Sequence, residues 1–160
     1  MTSQPVNSQP ASGAALNPRL QEIADDFTSM ADKDRLQLLL EFSQELPALP
    51  ERYAAHRDRM EPVPECQTPL FLAVEVEPDE AKGIVHLFFD APAEAPTTRG
   101  FASILHAGLD GLSADEVLDT PAEFSSRLGL ADLVSPLRLR GMAAMLARIK
   151  RQVREQREAR

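Results

Sequence analysis

Apolar positions along the chain keep two rhythms. Behind the pair Asn17-Pro18, an N-cap residue followed by a first-turn proline, Leu20, Ile23, Ala24, Phe27 and Met30 return every three or four residues and predict a helix. A second helix is predicted from about 34 to 46, with Leu36, Leu39, Leu40 and Leu46 among its buried residues and Pro47 and Pro50 closing it. Residues 51–60 read as a short, charged helix. The rhythm then changes: "LFLAVEV" (70–76) and "IVHLFFD" (84–90) are strand-like, and the polar turn "EPDEAKG" between them makes an antiparallel hairpin. Two strands are marginal alone, so helices must cover one face, together with a third strand that the pattern does not locate. Helical spacing resumes with Phe101, Ile104, Leu105 and Leu109. Ser113-x-x-Glu116 and Thr120-x-x-Glu123 both have capping-box spacing, and Gly129 stops the helix expected after the second. Ser135-Pro136 opens a long final helix with the stripe Leu139, Met142, Met145, Leu146, Ile149 and Val153 and basic residues opposite. The predicted class is α+β, a small antiparallel sheet of two to three strands packed with N-terminal and C-terminal helices.

Composition changes this picture little. Residues 1–16 are rich in Ser, Pro, Gln and Ala, carry no charge and show no period, so they read as a disordered tail before a single domain over 17–158. No apolar run approaches the roughly 18 residues of a membrane span. The first residues lack the basic start and apolar segment of a signal peptide, which places the chain in the cytoplasm. A single cysteine agrees with a reducing compartment. The net charge of −8 argues against nucleic-acid binding, yet the charge is uneven. Residues from Arg138 onward carry eight basic and two acidic side chains, a balance of +6, against −14 for the rest. Such a separation can orient a protein partner, although a solvated basic face on a terminal helix accounts for most of those arginines.

The chemical inventory is narrow. One Cys and three widely spaced His (56, 86 and 106) do not make a zinc site, and no metal is expected. His86 and His106 read as packing residues within a strand and a helix. No Gly-rich phosphate loop is present. That leaves Cys66 in "EPVPECQTPLF". A lone cysteine is most often a small buried hydrophobe. Here the loop is stiffened by Pro62, Pro64 and Pro69, and Glu65 and Gln67 flank the thiol, which points to surface rather than core. Glu61 and Glu65 disfavour a thiolate, and no Lys or Arg lies within six residues to oppose them. A stabilising charge must come from Arg138, a helix terminus or a partner. The thiol is therefore expected to be sluggish alone and active in a complex.

"PECQTPLF", "TTRGF", "SPLRLRGM" and "AAMLARIKRQV", in this order, resemble the SufE-type sulfur-acceptor proteins of iron–sulfur cluster assembly over about residues 17–153. Val63, Cys66 and Gln67 match the family's V-x-G-C-Q-S-x-V-W segment, with Thr68 and Phe71 as near substitutes and Glu65 where glycine is usual. Arg99-Gly100 matches a basic-Gly pair, and Ser135, Pro136, Arg138, Gly141 and Met142 match S/T-P-x-R-x-x-G-[LM] in full. The resemblance implies that Cys66 takes persulfide sulfur from a pyridoxal-phosphate cysteine desulfurase, stimulating it, and passes the sulfur to an iron–sulfur scaffold. Cys66 is then the acceptor, Arg138, Gln67 and Arg99 are partner contacts or supports, and this chain needs no cofactor. Two other readings stand beside it: a cluster scaffold of related architecture, disfavoured because one thiol cannot hold iron in a monomer, and an interaction module in which Cys66 is incidental.

Overall fold

The first helix begins as its chemistry requires. The Asn17 side chain accepts the Leu20 amide at 3.0 Å, and Pro18 fills a position whose N–H would go unused. The computed structural model describes residues 15–78 and 82–159. α1 (Pro18–Thr28) buries Leu20, Ala24 and Phe27. Of the tail expected over 1–16, residues 1–14 lie outside the described residues, and Leu16 packs against the core.

α2 (Asp32–Ser43) is shorter than the 34–46 pattern at its C-terminal end, and it corrects one expectation. Leu39 is buried, whereas Leu36 and Leu40 are 42% and 40% exposed. The cause lies in α4 (Pro96–Leu109), against which α2 packs most closely at Gly100. A Cβ at Gly100 would stand 2.6 Å from Leu39 Cδ1 and 2.7 Å from Leu39 O, so the missing side chain sets the approach there. Beside Leu36 and Leu40, α4 has only begun: the cleft they line is closed by Pro96 and Thr97 of its first turn. The charged stretch expected as one helix divides into α3 (Glu51–Ala54) and a 3-10 turn at Arg57–Arg59.

The hairpin forms in the expected register class. β2 (Phe71–Val76) pairs antiparallel with β3 (Val85–Asp90), Phe71 opposite Asp90 and Val76 opposite Val85; residues 79–81 of the connecting turn lie outside the described residues. Strand alternation then sorts the side chains. Leu72, Val74, Val76, Val85, Leu87 and Phe89 join the main core, while Phe71, Ala73 and Phe88 meet Tyr53 and Met60 on the other face. His86 falls on that second face, where its Nε2 lies 2.6 Å from Glu77 Oε2. The two form a partly exposed polar pair, whereas the sequence predicts a packing residue at this position.

The third strand, which the pattern did not locate, is β1 (Glu61–Pro62), pairing Glu61 with Leu72 and Pro62 with Phe71. Two residues leave no period to read, and the proline is tolerated because β1 is an edge. The sheet order is β1-β2-β3. Beyond β1 the exposed edge of β2 is completed by a side chain: Gln156 donates to Val74 O at 2.7 Å and accepts the Val76 amide at 3.0 Å. That glutamine belongs to the last helix, which therefore lies along the same edge.

After α4, Ser113 opens α5 (Ala114–Leu118) with a complete capping box. The second box does not form. The Thr120 hydroxyl donates back to Glu116 O, Glu123 pairs with Arg127, and a 3-10 turn at Phe124–Leu128 replaces the helix, stopped by Gly129 at φ +67°. α6 (Pro136–Glu158) begins at the Ser135 cap and buries Met142, Met145, Leu146, Ile149 and Val153. The architecture is α+β, as the pattern predicts.

Candidate functional site

Cys66 sits in the connection between β1 and β2. The Val63 amide donates to Leu70 O at 2.9 Å, which carries the pairing one step past β1, and residues 64–69 then leave the sheet. Pro64, whose ring presets its φ, begins a 3-10 turn over Pro64–Cys66, closed by Gln67 at φ +59°. The left-handed residue is thus Gln67. Glu65 adopts no such conformation, so a glutamate is tolerated at the position where the resembling family has glycine.

This turn rests on α6 through a missing side chain. The Cys66 thiol donates to Gly141 O at 3.7 Å. A Cβ at Gly141 would stand 3.1 Å from Cys66 Sγ and 3.2 Å from Cys66 Cα, closer than a relaxed packing contact. Gly141 is therefore the seat of the cysteine turn. One turn earlier on α6, Arg138 lines a cleft of about 230 Å³ with Cys66, Gln67, Thr68, Ser135 and Leu137. The rim includes Leu137, 41% exposed. Cys66 is 8% exposed and belongs to the core cluster, which corrects the expectation of a surface position. The polar neighbours do face outward, but the 3-10 turn directs the sulfur inward between them.

The structure brings three of the four candidate residues together, Cys66, Gln67 and Arg138. Arg99 lies elsewhere. Its guanidinium donates to Ser43 O at 3.1 Å and to Ala91 O at 2.6 Å, tying the end of α2 to the exit of β3. The link from this region to the cleft is the neighbouring Thr98, whose hydroxyl accepts from Thr68 at 3.4 Å.

Electrostatics follow from burial and two charges. Burial pushes the Cys66 thiol up to about 11, the Glu65 carboxylate pushes in the same direction, and the Arg148 charge opposes them. Two expectations change here. The opposing cation is Arg148, not Arg138, and the acidic neighbour that raises the thiol is Glu65. Burial resists Glu61 ionisation, but hydrogen bonds from Arg151 and Gln152 and the charge of Arg148 hold its carboxyl below the usual range. Arg148 lies 82 residues from Cys66 along the chain. Its signal was its helical spacing: seven residues after Gly141 it returns to the same face of α6.

Among the described residues no His, Cys, Asp and Glu cluster is placed to hold a metal ion, and no helix is long and apolar enough to cross a membrane. His106 is half-buried 3.7 Å from Asp110, with its pKa lowered by burial. At neutral pH the cleft thus holds a protonated thiol beside an exposed arginine.

The family described as "SufE: Fe-S metabolism associated domain" matches residues 21–153. An uncharacterized SufE-like protein of Mycobacterium tuberculosis is 58% identical over 142 residues, covering 89% of this chain and 96% of that one. A cysteine desulfuration protein, SufE, of Plasmodium falciparum is 23% identical over 137 residues, covering 84% of this chain and 53% of that one. The solution structure of a hypothetical protein from Thermus thermophilus superposes with a TM-score of 0.75 at 39% identity, covering 88% of this chain and 97% of the other.

Proposed function

Because the chain belongs to the SufE family, we propose that it is a sulfur acceptor and activator of a pyridoxal-phosphate cysteine desulfurase, with Cys66 as the acceptor. The Plasmodium relative's name supports a role in cysteine desulfuration. The observation that carries the reading to a residue is the junction of two separate motifs in one cleft. The cysteine turn and the Ser135–Gly141 segment meet at Cys66, with Gly141 as seat and Arg138 at the rim.

The transfer balances without a cofactor on this chain. The Cys66 thiolate attacks the outer sulfur of the desulfurase persulfide. The sulfur–sulfur bond of that persulfide breaks, a new one forms to Cys66, and the desulfurase cysteine leaves as a thiolate. The proton lost from Cys66 passes to solvent or to the departing thiolate, and no electrons are gained or lost overall. The enzyme is cleared for another turnover, and the Cys66 persulfide goes on to an iron–sulfur scaffold. A single cysteine keeps the persulfide from being resolved into an internal disulfide.

The resting thiol is buried and protonated, so the acceptor is inactive until docking opens the turn. Arg138, exposed on the first turn of α6, is the group on this chain placed to meet the partner at the rim. The test is Cys66→Ser, expected to abolish both stimulation of a desulfurase and sulfur uptake while leaving the fold intact. Full stimulation by that variant would refute the reading.

A further inference from the structure

Besides its seat at Gly141, the cysteine turn is held from the α6 side by a guanidinium. Arg148 Nη2 lies 3.0 Å from Glu65 Oε1 and 3.3 Å from Oε2, and its Nε lies 3.2 Å from Glu61 Oε2 and 3.4 Å from Pro62 O. A planar fork of this kind can grip two acids at once, which a flexible ammonium does poorly. The contacts bracket Val63: two fall on β1, and one falls on the residue directly before Cys66. Arg151 and Gln152 fasten Glu61 further, so the β1 end of the grip is anchored several times over. At Glu65 the grip is Arg148 alone among the described residues. Glu65 adjoins Cys66 in the same turn, so a shift of the Glu65 backbone away from α6 would carry Cys66 off its seat at Gly141.

We propose that Arg148 is a positioning residue for sulfur transfer: by holding Glu65 against α6 it keeps the Cys66 turn seated in its cleft, and release of that ion pair presents the thiol to the partner's persulfide. The proposal rests on the sulfur-acceptor reading for its purpose, but not for its geometry. It also gives a use to the glutamate that stands where glycine is usual in the resembling family: a glycine there would leave Arg148 without this partner.

A latch and a purely electrostatic role make opposite predictions. If Arg148 acted only through its charge, its removal would make Cys66 harder to ionise and slow its reaction with an alkylating agent. If it latches the turn, its removal frees the turn and speeds that reaction.

The experiment is iodoacetamide labelling of the isolated full chain at pH 8 and low salt. Arg148→Gln is expected to label about fivefold faster, the scale of a partly exposed ion pair. Arg148→Lys, which keeps the charge without the fork, is expected to fall between the two. Arg157→Gln, which removes the α6 pair with Asp115 away from the cleft, is expected to match wild type. Unchanged or slower labelling of Arg148→Gln would overturn the proposal. So would equal acceleration by Arg157→Gln, an Arg148→Lys rate equal to that of Arg148→Gln, or acceleration accounted for by a lower melting temperature. In the stimulation assay, Arg148→Gln is expected to reach half-maximal effect at a correspondingly lower concentration, since less of the binding energy goes into opening the turn. Faster labelling with an unchanged half-maximal concentration would reduce Arg148 to a structural tie and reject its role in transfer. If the wild-type chain stimulates no desulfurase, the sulfur-acceptor reading fails, while the labelling rates still decide whether Arg148 holds the turn.

Discussion

A thiol whose pKa stands at about 11 is almost wholly protonated at neutral pH, so Cys66 at rest is a poor nucleophile. Its alkylation in the isolated protein at pH 8 should run on the order of 100-fold slower than that of an unperturbed cysteine, with a midpoint in the pH–rate profile near 11. A midpoint near 8.5, the usual thiol value, would contradict the buried geometry. The sign of the matching stability effect is fixed. The folded chain holds this proton more tightly than the unfolded one, so the contribution is complete below the unfolded pKa and is lost as pH rises toward about 11. Cys66→Ala should flatten that alkaline loss relative to wild type in denaturant titrations. The sequence made the acidic neighbour Glu65 and the resulting sluggishness legible, because both are local. It did not reveal burial, which depends on α6 crossing above the turn, nor the opposing Arg148, which no local window contains.

Between elements, the decisive contact is the turn Pro64–Cys66 lying on α6 at Gly141. Gly141→Ala places a methyl 3.1 Å from Cys66 Sγ, and the neighbour that must yield is the turn itself. The variant should lose about 1–3 kcal/mol of stability, the usual cost of overpacking, and its Cys66 should label faster than wild type. Gly100→Ala, whose methyl would stand 2.6 Å from Leu39 Cδ1 and 2.7 Å from Leu39 O at the α2–α4 contact, should lose at least as much stability without speeding labelling beyond what unfolding explains. Equal labelling in both variants would contradict the seat. Helices were readable here through their caps, since Asn17, Ser113 and Ser135 all bond as their sequence positions require. β1 was not readable, because it is two residues long and the rest of the β2 edge is finished by Gln156 rather than by more strand. Thr120 failed as a cap because its hydroxyl found Glu116 O one turn back.

Over the whole molecule, the +6 segment that begins at Arg138 is not a uniform basic face. Arg148, Arg151 and Arg157 are engaged with Glu61, Glu65, Asp115 and Glu155. Arg138, Arg140 and Arg154 are exposed without an ion-pair partner among the described residues, and the first of them lines the Cys66 cleft. Stimulation of a desulfurase should therefore weaken as salt rises from about 0.05 to 0.5 M, by a rise in the half-maximal concentration rather than a fall in the plateau. Stimulation indifferent to salt would remove charge from the docking account. The most direct measurement is the mass of the chain after incubation with a desulfurase and free cysteine, followed by peptide mapping without reductant. Cys66 of the wild-type chain should gain one sulfur atom, and the Cys66→Ser chain should gain none. An unmodified Cys66 after the desulfurase has turned over would contradict the sulfur-acceptor reading.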